Sequence, residues 1–397
     1  MSQNGNQAKG IQLPIAMYGK SGVGKTSIIS ALWNETKQLL YDSALKISPY
    51  DDNTLAGLHE NLDRLQGSFY AGTFNHKALP GNTDEYHYAL MLTTSGNSSG
   101  VQAWTGFSRE VFEAGEPTLL FGFKDYPGGW SDPRERSKST TYKEKWEQYL
   151  QWITASSVLI VPVDATLLME AKTDEQKARV PTLLGFATLK EEVLDRWVKA
   201  RVASELPGLL VFAPLRCETY FADNGGSSDR SEELLSQFYR LYSEHIALVT
   251  KEDALKRIQI EYHPIDTVGA VQVTNASWPD DHEPAIKVPE FRYQVRSPAR
   301  YSPYGGIELL SALCRHMLKY WKAQQTLMTK AYWDKKQKQG LFDGVLSIIF
   351  DKSEREEARQ LLSGWVVEFP AFQDTLNTLA ARPQGRRVVV LKKAGDS

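Results

Sequence analysis

The run Gly19-Lys20-Ser21-Gly22-Val23-Gly24-Lys25-Thr26 restricts this chain more than anything else in it. It follows a short apolar stretch, 11–18 (IQLPIAMY), that reads as a buried strand, and it opens helical sequence from 26 to about 41. Strand, glycine-rich turn and helix in that order supply both contexts that the pattern G-x-x-x-x-G-K-[ST] requires. Glycines let backbone N–H groups curl around phosphate oxygens, and the helix N-terminus adds its positive field. In such a loop, extending through Ser27, Lys25 reaches the β- and γ-phosphates and the Thr26 hydroxyl ligates magnesium. The alternative is a chance glycine-rich turn.

Downstream the chain alternates in a way that suits such a loop. Apolar runs at 86–92, 118–124, 158–164, 209–215 and 258–265 read as strands, with helical sequence at 140–156, 189–204 and 231–248 and a shorter helix near 55–65. Short apolar strands separated by long amphipathic helices predict a three-layer α/β sandwich around a mostly parallel sheet. Three stretches fit this rhythm poorly and read as insertions: about 43–85, 93–117 and 275–304. A long helix is expected from about 307 into KAYWDKKQKQ. After 340 come an apolar patch, a helical segment and a basic strand-like end, GRRVVVLKK. The expected division is a disordered tail at 1–10, a nucleotide-binding domain at 11–325 and a C-terminal helical extension at 326–397.

A second motif sits at 122–130, GFKDYPGGW. Asp125 leaves an apolar run and meets Gly128 three residues later. An acid at that strand end can hold magnesium directly or through water, and the Gly128 N–H can meet a γ-phosphate; the alternative is an ordinary turn acid. Thr83, just before the strand at 86–92, is the candidate to cover the magnesium, with Thr73 as its competitor. Gly129 has no side chain with which to orient water, so intrinsic hydrolysis is expected to be slow. Arg134 and Arg136 could supply charge within the molecule or across a homodimer; otherwise they belong to a solvated loop.

Composition excludes several other functions. The net charge of −2 over 397 residues gives no electrostatic footprint for nucleic acid. Two cysteines, Cys217 and Cys314, make neither a disulfide framework nor a zinc set. The polar start lacks the apolar core of a signal peptide, and no stretch approaches the ~20 apolar residues of a membrane span. A cytoplasmic protein is expected. The segment 340–350 (GLFDGVLSIIF) reads as packed core or as an amphipathic surface touching a membrane or a partner.

GKSGVGKT, then DYPGG, then LRCE after a strand resemble, in this order, the motif series of P-loop GTPases of the translation-factor and Ras-like class. DYPGGW is similar to the corresponding stretch of YcjX-like stress-associated GTPases and bacterial double-GTPase proteins. The resemblance covers roughly residues 11–320. It implies a P-loop NTPase sandwich that binds GTP or GDP with magnesium and acts as a slow switch for a protein partner or activator. It also implies a base reader at Arg216-Cys217-Glu218, where the class has [NT]-K-x-D. Arg216 would stack on the base, Glu218 would accept two hydrogen bonds from guanine, and the loop at Asp266-Thr267-Val268-Gly269 would back it. Glutamate is one methylene longer than the class aspartate, which leaves guanine specificity open. The alternatives are a surface ion pair of Arg216 and Glu218, an ATPase or small-molecule kinase, and a nucleotide-bound scaffold that does not cut.

Overall fold

The structure, a computed structural model, describes residues 11–41, 45–70, 73–75, 85–94, 118–223, 228–251, 256–279, 288–297, 301–340, 379–381 and 387–393. The strands in chain order are β1 (Ile11–Met17), β2 (Leu45–Pro49), β3 (Thr73–Asn75), β4 (Tyr86–Thr94), β5 (Thr118–Asp125) and β6 (Val158–Asp164). They continue with β7 (Gly208–Leu215), β8 (Ile258–Tyr262), β9 (Val271–Ser277), β10 (Glu290–Val295) and β11 (Val389–Lys392). Eight of them form one sheet in the order β11-β8-β7-β6-β1-β5-β4-β2. The five inner strands from β8 to β5 run parallel, while β4 pairs antiparallel with β5, β2 with β4 and β11 with β8.

Strand composition explains the layering. β6 (VLIVPVD) and β7 (GLLVFAPL) are buried along their whole length, as strands covered on both faces must be. Successive residues alternate between the faces. Val158 and Ile160 join one core with Ile28, Leu32 and Trp33 of α1 (Lys25–Leu39), while Leu159 and Val161 join the other. The second core takes Trp146, Tyr149 and Ile153 of α3 (Thr140–Ala155), Trp197 of α4 (Asp195–Ser204), and Phe238 and Tyr242 of α5 (Ser231–Val249). Leu309 and Leu313 of the long helix α6 (Gly306–Gly340) complete the α1 side. Half-buried Glu35 on α1 caps that helix, accepting from the Gly306 and Ile307 N–H groups. The α/β class with a mostly parallel sheet is thus as the sequence indicates.

Two of the three insertions have described structure, and they meet. The first contributes β2, β3 and a helix α2 (Asp52–Tyr70), longer at both ends than the short helix expected there. The third begins inside β9 and carries β10. β3, β10 and β9 form a separate three-stranded antiparallel sheet, so segments more than 200 residues apart in sequence pair directly. The insertion at 93–117 lies almost wholly outside the described residues. At the other end, β11 adds the basic terminus to the main sheet at β8.

Candidate functional site

The parallel order places β1 between β5 and β6, at the point where the chain switches sides of the sheet. Crevices outside the carboxyl ends of strands form at such points. The loops after β1, β5, β6, β7 and β8 carry, respectively, the glycine-rich turn, Gly128, Asp164 at the strand end itself, Arg216 and Thr267. The cleft is lined by the glycine-rich turn together with Asp125, Gly128, Arg216 and Thr267.

At one end of this cleft the backbone is tightly prescribed. Gly24, which precedes α1, has φ 104°, a left-handed conformation that a side chain disfavours. Lys25 is buried, and its Nζ donates to the carbonyls of Gly19 at 3.0 Å and Lys20 at 3.4 Å. It lies 3.9 Å from Asp125 Oδ1 and over the Tyr126 ring. Burial lowers its pKa, and Asp125 opposes that shift. The Thr26 hydroxyl donates to Asp125 Oδ2 at 2.6 Å, joining the second motif to the first. Val23 and Ser27 are buried behind the turn, and Ser21 and Gly22 are exposed at its crest.

The segment after β5 closes onto this turn. A Cβ on Gly128 would lie 2.0 Å from the Ser21 nitrogen, so only glycine lets the two loops touch. A Cβ on Gly129 would meet nothing. The Tyr126 hydroxyl donates to the Gly19 carbonyl at 3.3 Å, and its ring packs on Tyr149 with centroids 4.1 Å apart. Lys20 pairs with Asp132 at 3.4 Å. Hydrogen bonds from Arg134 hold that carboxyl well below the usual range. Arg134 is thereby committed to Asp132. Arg136 is committed to Glu192, through two contacts of 2.7 Å.

The other end is a buried charge network. Arg216 sits at φ 62°, a conformation that costs a non-glycine residue roughly 1–3 kcal/mol and has to be held by its surroundings. Its guanidinium donates to Asp164 Oδ2 at 2.6 Å and to the Gly22 carbonyl at 2.8 Å, so it ties β6 and β7 to the glycine-rich turn. Asp164 Oδ1 also accepts from the Thr166 N–H at 3.0 Å. Glu218 is buried and accepts from the Thr267 N–H (3.2 Å), the Thr267 hydroxyl (3.3 Å) and the Val268 N–H (3.2 Å). Burial, with Asp266 nearby, pushes its carboxyl up to about 7. A surface ion pair between Arg216 and Glu218 is excluded, because both are buried and each is engaged elsewhere.

Two contributors escaped the sequence reading. Asp164 closes an apolar strand, and an acid in that place was its only signal. Arg387, in the basic terminus, is buried over the Phe221 and Tyr304 rings. It donates to Asp266 at 2.8 Å and to Asp223 at 2.7 Å, which fastens the chain terminus to the loop that holds Glu218. Thr83 and residues 341–350 of the apolar patch lie outside the described residues; Thr73 opens β3.

Among the described residues no group of three or more His, Cys, Asp or Glu could hold a metal ion, and no helix is long and apolar enough to cross a membrane. No family model matches the sequence, and no curated protein is significantly similar to it. Among solved structures the chain is similar to the S. cerevisiae Ski7 GTPase-like domain bound to GTP. The identity is 11% over 66% of this chain and 44% of that one, with a TM-score of 0.32. For the same domain bound to GDP and inorganic phosphate the values are 11%, 65%, 43% and 0.29. The matched region spans less than half the length of those chains. Likeness at this level says nothing of what this chain binds.

Proposed function

We propose that this chain is a GTP-binding protein that hydrolyses GTP slowly and uses the bound nucleotide as a switch for a protein partner. The supporting observation is the joint placement of Lys25, Thr26, Asp125 and Gly128 at one cleft, with Thr26 Oγ1 and Asp125 Oδ2 2.6 Å apart. A hydroxyl and a carboxylate side by side are the hard oxygen donors that suit magnesium, which keeps its other positions for phosphate and water. When bound, magnesium would neutralise charge on the β- and γ-phosphate oxygens. Lys25 would bind those same phosphates from the turn. The N–H of Gly128 would meet the γ-phosphate, and its contact with Ser21 would make the 125–138 segment sensitive to that group. Such a loop orders when the γ-phosphate is present and relaxes when it leaves.

For the base, Arg216 would stack on its face; Glu218, which is buried behind Thr267 and does not itself line the cleft, would accept from the guanine edge by exchanging its bonds from Thr267 and Val268. The nucleotide-binding unit would span residues 11–325, with 326–397 as an extension attached through β11 and Arg387. A non-cutting scaffold is the second reading, favoured by the open space beside Gly129. Equilibrium titration with fluorescent GTP, GDP and ATP, with and without magnesium, tests the proposal. Expected is magnesium-dependent binding of GTP and GDP that Lys25→Ala weakens by roughly 10²- to 10⁴-fold; equal affinity for ATP would remove the base reader, and no binding of any of the three would end the proposal.

A further inference from the structure

One face of α2 looks into the cleft. Gly57, Glu60, Asn61 and Arg64 follow helical spacing (i, i+3, i+4, i+7), and all four line the same cleft as Lys25, Thr26, Asp125 and Gly128. The neighbouring face carries Leu58, Leu62, Leu65 and Phe69, which are buried and set the rotation of the helix. Its position is fixed at two further points. Near its start, Asp51 accepts from the Thr54 N–H at 2.6 Å, and the Thr54 hydroxyl accepts from the Ala89 N–H of β4 at 3.1 Å. In its middle, the Asn61 amide donates to Ser30 Oγ at 2.5 Å and to the Thr26 carbonyl at 3.4 Å. The helix is therefore bonded to the residue whose hydroxyl meets Asp125.

Arg64 stands one turn beyond Asn61, with its guanidinium paired to Glu60 on the same face. Both side chains are well exposed, at 47% and 63%, so the pair adds little to stability and orients the guanidinium along the cleft-lining face of the helix. Both charges of the pair lie near the Tyr88 phenol, whose pKa is raised chiefly by burial and by Asp125, with Glu60 the stronger influence of the two. The two arginines next to the 125–130 motif do not line the cleft: Arg136 is held by Glu192 through two contacts, and Arg134 is exposed and paired with Asp132.

We propose that Arg64 is a catalytic residue of this protein, supplied in cis by α2, and that Glu60 is a positioning residue that holds it beside the phosphate site. This rests on the GTP-hydrolysis reading above and deepens it. In the reaction a water oxygen bonds to the γ-phosphorus while the bond from that phosphorus to the β–γ bridging oxygen breaks. The bond's electron pair stays on the bridging oxygen, giving GDP, and a proton from the water ends on the released phosphate. Negative charge grows on the bridging and γ oxygens, and Arg64, which stays protonated throughout, donates hydrogen bonds there. A guanidinium suits this task because its planar fork meets two phosphate oxygens side by side in a fixed geometry. The arrangement also explains how a chain with glycine at 129 could cut GTP without an arginine from a partner.

The test uses the full chain and its variants Arg64→Ala, Arg64→Lys and Glu60→Gln. GTP and GDP affinities come first, then single-turnover hydrolysis, then capture of GDP with aluminium fluoride, which mimics the transferring phosphoryl group. Expected are affinities within about threefold of wild type in all variants, since Arg64 acts where charge develops and not in the ground state. Hydrolysis should fall roughly 10³-fold in Arg64→Ala, at the lower end for an arginine acting on phosphoryl transfer. Arg64→Lys should recover only a small part, Glu60→Gln should lose less than Arg64→Ala, and the fluoride complex should form in wild type and fail in Arg64→Ala. Wild-type hydrolysis and fluoride capture in Arg64→Ala would overturn the assignment and leave the GTPase reading standing. A wild-type chain that binds GTP but neither cuts it nor captures the fluoride complex would overturn it as well. A chain that binds no GTP would sink the underlying reading, and the affinity measurement reveals that before any rate is compared.

Discussion

The two ends of the cleft are built on different plans. The proposed phosphate end is local: residues 19–27 are contiguous, much of their chemistry is backbone, and its main partner, Asp125, comes from the adjacent strand β5. The proposed base end meets the cleft at Arg216 and Thr267 and is backed by Asp164, Glu218, Asp266 and Arg387, which come from separate segments and reach one another only through the fold. A local device depends on backbone shape and tolerates change elsewhere. An assembled one depends on every buried charge finding its partner, because stranding one costs more than the pair contributes. Damage at the phosphate end should therefore appear first in nucleotide binding, and damage at the base end first in stability.

The largest expected effect tests the phosphate end. Lys25→Ala should weaken GTP binding by roughly 10²- to 10⁴-fold, the worth of about two charged hydrogen bonds; it also takes a counter-charge from buried Asp125, which keeps its bond from Thr26, so the stability loss should be smaller than the one at the base end. Isothermal titration alongside urea unfolding separates the two quantities; equal loss in both would erase the contrast between the ends. Next, Asp164→Asn leaves Arg216 buried without its counter-charge and should cost about 3–5 kcal/mol of stability by urea unfolding. A stability loss below about 1 kcal/mol would mean that the network is not what holds the base end.

A gain is expected where the phosphate end is underbuilt. Gly129→Gln places an amide in open space beside the Gly128 contact, and hydrolysis should rise roughly tenfold by quench-flow. An unchanged rate would show that water is not positioned from that residue. The smallest effect sharpens the base end through pH. The Glu218 carboxyl is raised from 4.5 to about 7, so the free protein binds this proton more tightly than the unfolded chain does. Its contribution to stability is full below about pH 4.5 and is lost as pH rises through 7. In the proposed base reader Glu218 acts in its ionised form, so GTP affinity should move the other way and weaken as pH falls below 7, by more than protonation of the γ-phosphate alone produces. Glu218→Gln should flatten the stability profile and remove that excess from the GTP profile; an excess that survives this change would assign the titration to another group.

This division also explains what could be read in the sequence. The strands expected to end at 124, 164 and 215, the helix expected at 231–248 and the glycine-rich turn are legible because periodicity and turn chemistry are local signals; the observed ends are 125, 164, 215 and 249. α2 is longer than its sequence pattern indicates because its cap, Asp51, and its cleft-facing residues look like ordinary polar positions until the helix is packed. The pairing of β3 with β10 had no local signature, since a three-residue strand carries almost no pattern. Arg387 was read as part of a basic terminus because burial over two aromatic rings cannot be inferred from charge alone. The role of Asp164 depends on a partner 52 residues away.

Phosphate release from GTP and ATP, measured side by side over a range of protein concentrations with Lys25→Ala as control, tests the central claim most directly. Expected is slow release from GTP in preference to ATP, at a rate per molecule that does not change with concentration and that vanishes in Lys25→Ala. Release from ATP in preference to GTP, or release that survives Lys25→Ala, would contradict it.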